Sequence, residues 1–356
     1  MNKSLKVFVG LSGGVDSSVA ALRLKNEGYN VVGVFIKVWH PDFLVCNWES
    51  ERLDAMRVAA KLDIPFLTCD AVAAYRDAVA SYFIEDYRAG RTPNPDVMCN
   101  KEVKFGVFYK FAIEQGADFV ATGHYAQKLI DTKSGEARLL RGIDTEKDQS
   151  YFLWTLPEPD LKNILFPVGA SPKATIRKEA AAAALPTAIK KDSQGVCFLG
   201  QIDIPNFLSH YIELIPGKVL SKDGSVIGEH QGAFVYTLGQ RHGFTIFHTT
   251  PSSAPVYIVA KSVAENTITV SHQRLASNAG SQLHLEKVSW RGQRPLTGAT
   301  YSAQTRYRQT PFTVTIDNST DTTLLLNLTS DIETPAVGQS CVLYTGMECH
   351  GGGIIT

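Results

Sequence analysis

Nine residues near the N-terminus, Gly10-Leu11-Ser12-Gly13-Gly14-Val15-Asp16-Ser17-Ser18, have the types and spacing of a phosphate site. Adjacent glycines admit backbone conformations closed to other residues and let a ligand approach the main chain. If a helix starts here, its first amides face outward with the positive end of the dipole, which favours an anion. Ser12 and Ser17 add hydroxyl donors, and Asp16 suits a magnesium ion carried by the phosphates. The Gly-Lys-Ser/Thr of a Walker loop is missing, and the glycine spacing is not that of the dinucleotide fingerprint.

A second chemistry is that of thiols. In Arg91-Thr92-Pro93-Asn94-Pro95-Asp96-Val97-Met98-Cys99-Asn100-Lys101, Asp96 stands three residues before Cys99, with Lys101 and Lys104 close behind. Nearby cations favour thiolate, and a carboxylate so placed suits a general base. The two prolines point to an extended loop. Lys190-Lys191-Asp192-Ser193-Gln194-Gly195-Val196-Cys197-Phe198 sets a second cysteine in a polar, lysine-flanked stretch. Cys69 and Cys341 lie instead in apolar runs, and no CxxC or zinc spacing occurs. Two such thiols beside a phosphate loop suggest paired thiol chemistry, although each stretch alone also reads as an ordinary surface turn.

These residues need elements to hold them. Val7-Phe8-Val9 reads as a buried parallel strand entering the glycine loop, and Val15, Val19, Leu22 and Leu24 as a helix leaving it. Strand-like Val31–Ile36 and Ile64–Leu67 follow, with a helical stretch over 51–62 between them. Helices over 71–87 and 104–115 precede a strand at 118–121, which ends in Thr122-Gly123-His124-Tyr125. Such alternation predicts α/β architecture, a doubly wound parallel sheet with its site at the carboxyl edge. Past residue 200 the glycines crowd, and short Thr/Val/Leu-rich runs recur to the end, which are hairpin signals. The expected division is 1–202, a small β-rich central domain at 203–276, and 277–356.

Composition narrows the classes. Lys+Arg and Asp+Glu both number 35, so any grip on nucleic acid must come from local patches. No apolar run approaches a membrane span and no signal-peptide core is present, so a cytoplasmic protein without a membrane partner is expected.

Ser12–Ser17 resembles the pyrophosphate (PP) loop of the N-type ATP pyrophosphatases, which have the adenine nucleotide alpha hydrolase-like fold and cleave ATP between the α- and β-phosphates. Eight stretches in order resemble the bacterial tRNA-specific 2-thiouridylase (MnmA/TrmU) family. They are Gly10–Ser17, Gly90–Asp96 with Cys99-Asn100-Lys101, Ala121–Tyr125, Lys147–Phe152, Lys191–Ser193 with Gly195 and Cys197-Phe198, Thr237–Arg241, Thr305–Gln309, and Gly351–Ile355. The resemblance implies ATP with Mg2+, bound by Gly10, Leu11, Ser12, Gly13, Gly14, Val15, Asp16 and Ser17, with Ile36 and Gly123 lining the adenosine. It implies that Asn94, Pro95 and Asp96 meet the target base, that Cys99 is the nucleophile and that Cys197 carries persulfide sulfur. His124, Lys147, Asp148, Gln149, Arg306, Tyr307 and Gln339 would contact tRNA. The implied activity is that of a tRNA-uridine 2-sulfurtransferase on tRNAs reading Lys, Glu and Gln codons, acting as a monomer with a sulfur-carrier persulfide donor and ending in a C-terminal β-barrel. Residue by residue, Arg306-Tyr307-Arg308 also reads as an exposed strand face, His124 as a structural histidine and Lys147-Asp148-Gln149 as a solvated turn. Two other classes fit part of the pattern: another adenylating enzyme, such as an amidotransferase or different RNA thiolase, and a catalytically silent tRNA-binding protein.

Overall fold

Alternate residues of the first strand are buried to opposite sides, and this organises the N-terminal half. A computed structural model describes residues 5–44, 48–192, 195, 200, 202–247, 254–277 and 279–356. Strand β1 (Lys6–Gly10) pairs in parallel with β2 (Asn30–Lys37) on one side and β4 (Phe119–Ala121) on the other. Strand β3 (Phe66–Asp70) flanks β2 and the two-residue strand Ile164–Leu165 flanks β4, giving five parallel strands. The third strand thus starts two residues later than the apolar run predicts, because Pro65 lends its carbonyl to Gly33 and cannot donate in return.

Val7 and Val9 pack on one face with Val15, Val19 and Leu24 of helix α1 (Val15–Asn26), Val58 of helix α2 (Trp48–Lys61) and Ile176 of helix Lys173–Ala182. Phe8, Val34 and Ile36 pack on the other face against Tyr75, Val79, Cys99 and Phe108. Each such aliphatic side chain, fully buried, contributes about 1.5–3 kcal/mol. All carboxyl ends of the sheet open on one edge.

The expected extended loop around Cys99 is a helix. Pro93 is followed by Asn94, whose Oδ1 accepts from Val97 N, and by Pro95 at the first helical position. The helix runs Pro95–Met98, widens to π geometry over Cys99–Val107, and resumes α geometry at Phe108–Glu114. An Asn cap with Pro behind it is a favoured helix start, worth about 1 kcal/mol.

The central region is a five-stranded sheet in which Gly217–Leu220 lies parallel to Thr267–Ser271. Within it, Ala233–Val235 makes a short 3-10 turn. Phe234 and Tyr236 pack with Phe207 onto Phe83 and Tyr87 of helix Ser81–Arg88.

Six antiparallel strands close into a barrel: Gln282–Trp290, Thr323–Leu328, Phe312–Ser319, Thr300–Gln304, Ser340–Thr345 and Glu348–Ile355, the last pairing back to the first. The run Gly351-Gly352-Gly353 lies inside the closing strand, where a Cβ on Gly352 would fall 2.2 Å from the Cys341 carbonyl oxygen. A hairpin from the N-terminal half, Ala126–Ile130 with Ala137–Arg141, adds to the same strand through Leu139 and Leu140 opposite Cys349 and Glu348. The architecture is therefore a parallel α/β unit, a small β-rich unit and a C-terminal β-barrel. Among the described residues no helix is long and apolar enough to cross a membrane.

Candidate nucleotide and thiol site

The loop predicted to cradle phosphate sits between β1 and α1 at the carboxyl edge. Gly14 caps α1 without a side-chain hydrogen bond. Ser12 N donates to Ser17 Oγ at 3.3 Å, and Ser17 Oγ donates to Gly14 O at 3.1 Å, so the two serines brace the turn. Gly13 has φ +70°, and a Cβ there would lie 2.6 Å from the Glu51 carbonyl of α2. Gly123, just past β4, is pressed onto the first turn of α1, since a Cβ would lie 2.6 Å from Ser17 N. Ile36 Cδ1 lies 3.7 Å from the Cβ position of Gly10. Gly10, Ile36, Gly123 and the loop are thus neighbours, from strands that are far apart in the chain.

Asp16 is held by groups that spacing did not reveal. Lys173 Nζ donates to both its carboxylate oxygens at 2.7 Å, and the Tyr125 hydroxyl donates to Oδ1 at 2.7 Å. Burial and then the Asp16 charge push the Tyr125 phenol well up, so it stays a donor. Lys173 also meets Asp192 at 2.9 Å, and Asp192 takes Lys147 at 2.8 Å and Arg177. Among the described residues no three metal-ligating side chains cluster. One carboxylate beside a phosphate cradle nevertheless suits magnesium, which takes one or two protein carboxylates and completes its shell with phosphates and water.

Burial acts to raise the Asp192 carboxyl, but hydrogen bonds from Lys147 and Lys173 outweigh it and bring it down from 3.8 to about 2. A carboxylate depressed in the fold contributes stability that is present above its unfolded pKa and lost as pH falls through the folded one. The melting-temperature gap between wild type and Asp192→Asn is therefore expected to be full above about pH 4 and to close toward pH 2. A gap that persists unchanged at pH 2 would show that the carboxylate charge contributes nothing.

Cys99 is buried with 0% exposure, in the apolar cluster that includes Ile36, Val38 and Ala71 at the carboxyl ends of β2 and β3. It therefore lies beneath the same edge, within a helix and not in an open basic loop. Asp96 is half-buried one turn before it, and Asn94 and Pro95 form the cap. Cys197, like Cys46, lies outside the described residues. Burial, aided by Asp70, pushes the Cys69 thiol up to about 11, and burial pushes Cys341 to about 12, as expected of structural thiols.

The residues implied in RNA contact fall into two groups. His124 is buried, with Nδ1 2.8 Å from Thr122 Oγ1 and Nε2 3.5 Å from Lys104 Nζ. Burial, then the Lys104 charge, hold it well below its ordinary pKa, so it is neutral. Asp148 points inward, accepting from Arg141 Nη1, Gly142 N, Ser150 N and Ser150 Oγ. Gln149 exchanges hydrogen bonds with the Tyr125 backbone, its Oε1 accepting from N at 3.0 Å and its own N–H donating to O at 2.8 Å. Gln339 is likewise engaged, on the Thr92 and Pro93 carbonyls. Arg306 and Tyr307 occupy a turn after strand Thr300–Gln304, not a strand face. Arg306 pairs with Glu333 at 2.7 Å, and the Tyr307 ring lies 4.8 Å from Phe152.

The chain matches the family described as "tRNA methyl transferase HUP domain" over residues 5–201. The "tRNA methyl transferase PRC-barrel domain" follows at 205–272 and the "Aminomethyltransferase beta-barrel domain" at 280–355. It is 43% identical to the tRNA-specific 2-thiouridylase MnmA of Lacticaseibacillus paracasei, across 99% of this chain and 95% of that one. The enzymes of that name from Salmonella arizonae and Proteus mirabilis are 45% and 43% identical, covering 98% and 99% of this chain and 96% and 98% of theirs. The chain belongs to the MnmA family of tRNA-specific 2-thiouridylases. A solved 4-thiouridine synthetase–RNA complex with bound ATP is a looser likeness, at 20% identity and TM-score 0.35, covering 55% of this chain and 45% of that one.

In this member of the MnmA family the side chains that sequence spacing missed are Lys173, Tyr125 and Glu333. Lys173 follows Ser171-Pro172 at a helix start, and its partner Asp16 lies 157 residues away. Nothing local marks it. Tyr125 ends the stretch Thr122–Tyr125, and its hydroxyl contact with Asp16 spans 109 residues.

Proposed function

We propose that this protein installs sulfur at C2 of the wobble uridine of tRNA, as a tRNA-uridine 2-sulfurtransferase that consumes ATP. One observation supports this above the rest: Ile36 lies beside the start of the phosphate loop, its Cδ1 3.7 Å from where a Cβ on Gly10 would stand, and belongs to the same buried cluster as Cys99. A nucleotide on the loop and a base brought to Asn94, Pro95 and Asp96 would share one edge.

In this reading Gly10–Ser17 holds ATP, Ile36 and Gly123 line its adenosine, and Asp16 holds the accompanying magnesium, which would neutralise phosphate charge. Asp96 takes the N3 proton as uridine O2 attacks the α-phosphorus, and pyrophosphate leaves. A persulfide donor of the sulfur-carrier class loads Cys197. The Cys99 thiolate then attacks the Cys197 sulfur and expels hydrosulfide, and a Cys99–Cys197 disulfide forms. Hydrosulfide displaces AMP from C2, leaving 2-thiouridine, and an external dithiol reduces the disulfide. A monomer in the cytoplasm, divided near residues 203 and 277 and acting on tRNAs for Lys, Glu and Gln codons, completes the proposal.

The wobble base must leave its stack to reach such an edge, as in other base-modifying enzymes. The half-exposed Arg306 and the Tyr307 ring suit the anticodon backbone and a stacked base. Incubation with radiolabelled ATP, candidate tRNAs and a persulfide donor, followed by nucleoside mass spectrometry, tests the whole. AMP with 2-thiouridine supports it. An amidated or unmodified nucleoside overturns it.

Arg306→Ala is expected to weaken tRNA binding and lower the salt slope of log affinity by about one. Glu333 keeps Arg274 as a partner, so the fold should hold. Unchanged affinity and slope would leave this arginine facing only solvent and Glu333.

A further inference from the structure

We infer that Gln339 is a positioning residue, holding the helix start that carries Asp96 and Cys99; this rests on the sulfur-transfer reading above. Its carboxamide Nε2 donates to Thr92 O at 2.9 Å and to Pro93 O at 3.0 Å, and both residues immediately precede Asn94. Thr92 N donates to Val337 O at 2.8 Å, so three barrel-side contacts fall on two residues. Gly338 between them has φ +93°, and a Cβ there would lie 2.8 Å from Thr92 O.

The mount is itself firm. Gly338 N donates to Ile355 O at 2.8 Å, and Ile355 N donates to Gln339 O at 2.9 Å, on the closing strand of the barrel. Thr92 Oγ1 meets Thr237 Oγ1 at 2.9 Å, so the central unit holds Thr92 as well. Downstream, Asn94 Oδ1 accepts from Val97 N, and Asn94 N donates to the Tyr82 hydroxyl at 3.3 Å. Displacement at Thr92 is passed through this cap to Asp96 and Cys99. Both hydrogens of the carboxamide are spent on the protein's own carbonyls, which places the group to locate a loop.

The test uses full-length wild type, Gln339→Leu and Gly338→Ala, with Gln339→Glu as a same-size variant in case the leucine does not fold. The measurements are kcat and tRNA KM for 2-thiouridine formation, and the rate of Cys99 alkylation by iodoacetamide from peptide mapping. A 1 Å misplacement should lower kcat by about 10- to 100-fold. The tRNA KM should stay within about twofold, the split expected for a group that does not bind substrate. Cys99 labelling should accelerate about fivefold or more as its cover loosens. A raised KM with unchanged kcat and labelling would make Gln339 an RNA contact and overturn the inference. If wild type itself makes no 2-thiouridine, the proposed function falls, and labelling decides the clamp: faster in the variants sustains it, unchanged removes it.

Discussion

Cys197→Ser should retain ATP-dependent adenylation of tRNA yet form no 2-thiouridine, and Cys99→Ser should load sulfur on Cys197 and then stall. The expectation follows from dividing the work: adenylation needs the loop, Asp16 and Asp96, whereas sulfur delivery needs two thiols. Serine keeps the size of cysteine, so the change at Cys99, with its 0% exposure, opens no cavity. Serine is no substitute as a sulfur acceptor or as a nucleophile toward persulfide. The other cysteines that the structure describes are poor candidates. Cys69 and Cys341 are pushed up by burial, and Cys349 is raised in the same way while Arg291 Nη2 donates to its sulfur. Intact-mass measurement after loading with a persulfide donor, then peptide mapping, decides the matter. Sulfur on Cys46, Cys69, Cys341 or Cys349, with Cys197 unmodified, would sink the assignment.

Loss of pyrophosphate release is the expected outcome of Asp16→Ala. The variant removes the carboxylate that would hold magnesium, and it leaves Lys173 with Asp192 as its carboxylate partner among the described residues and takes away the acceptor of the Tyr125 hydroxyl. A charge-stabilising group aimed at reacting phosphates is worth about 10²- to 10³-fold in rate. Because Lys173 keeps one carboxylate partner, the fold should survive. Asp16→Asn, which preserves shape and an acceptor oxygen, separates charge from packing. Near-normal pyrophosphate release by both would remove Asp16 from the site.

Local signals carried much of this structure. The phosphate loop was readable because its glycines answer local needs, a positive φ at Gly13 and a close neighbour in α2. The parallel sheet was readable because both faces are buried, which leaves near-continuous apolar runs. The helix at Cys99 was signalled too, by Asn94 before Pro95, but two prolines in three residues mimic a loop. Gly351–Gly353 gave no strand signal, since glycine weakens strands except where backbones must touch, as at the barrel closure. Lys173, Glu333 and the clamp on Thr92 join residues far apart in sequence, and no local pattern announces a partner so distant.

The hairpin Ala126–Arg141 continues the hydrogen-bonded surface of the barrel, although it belongs to the chain's first half. A seam made of strand pairing resists rotation, because turning one side against the other breaks main-chain hydrogen bonds along an edge. The junction of catalytic unit and barrel is therefore a weld and not a hinge. Cys99 is buried on the N-terminal side of that seam, so rotation of the barrel is not what uncovers it. The helix that carries it is widened to π geometry from Cys99 to Val107, a form frequent at functional sites.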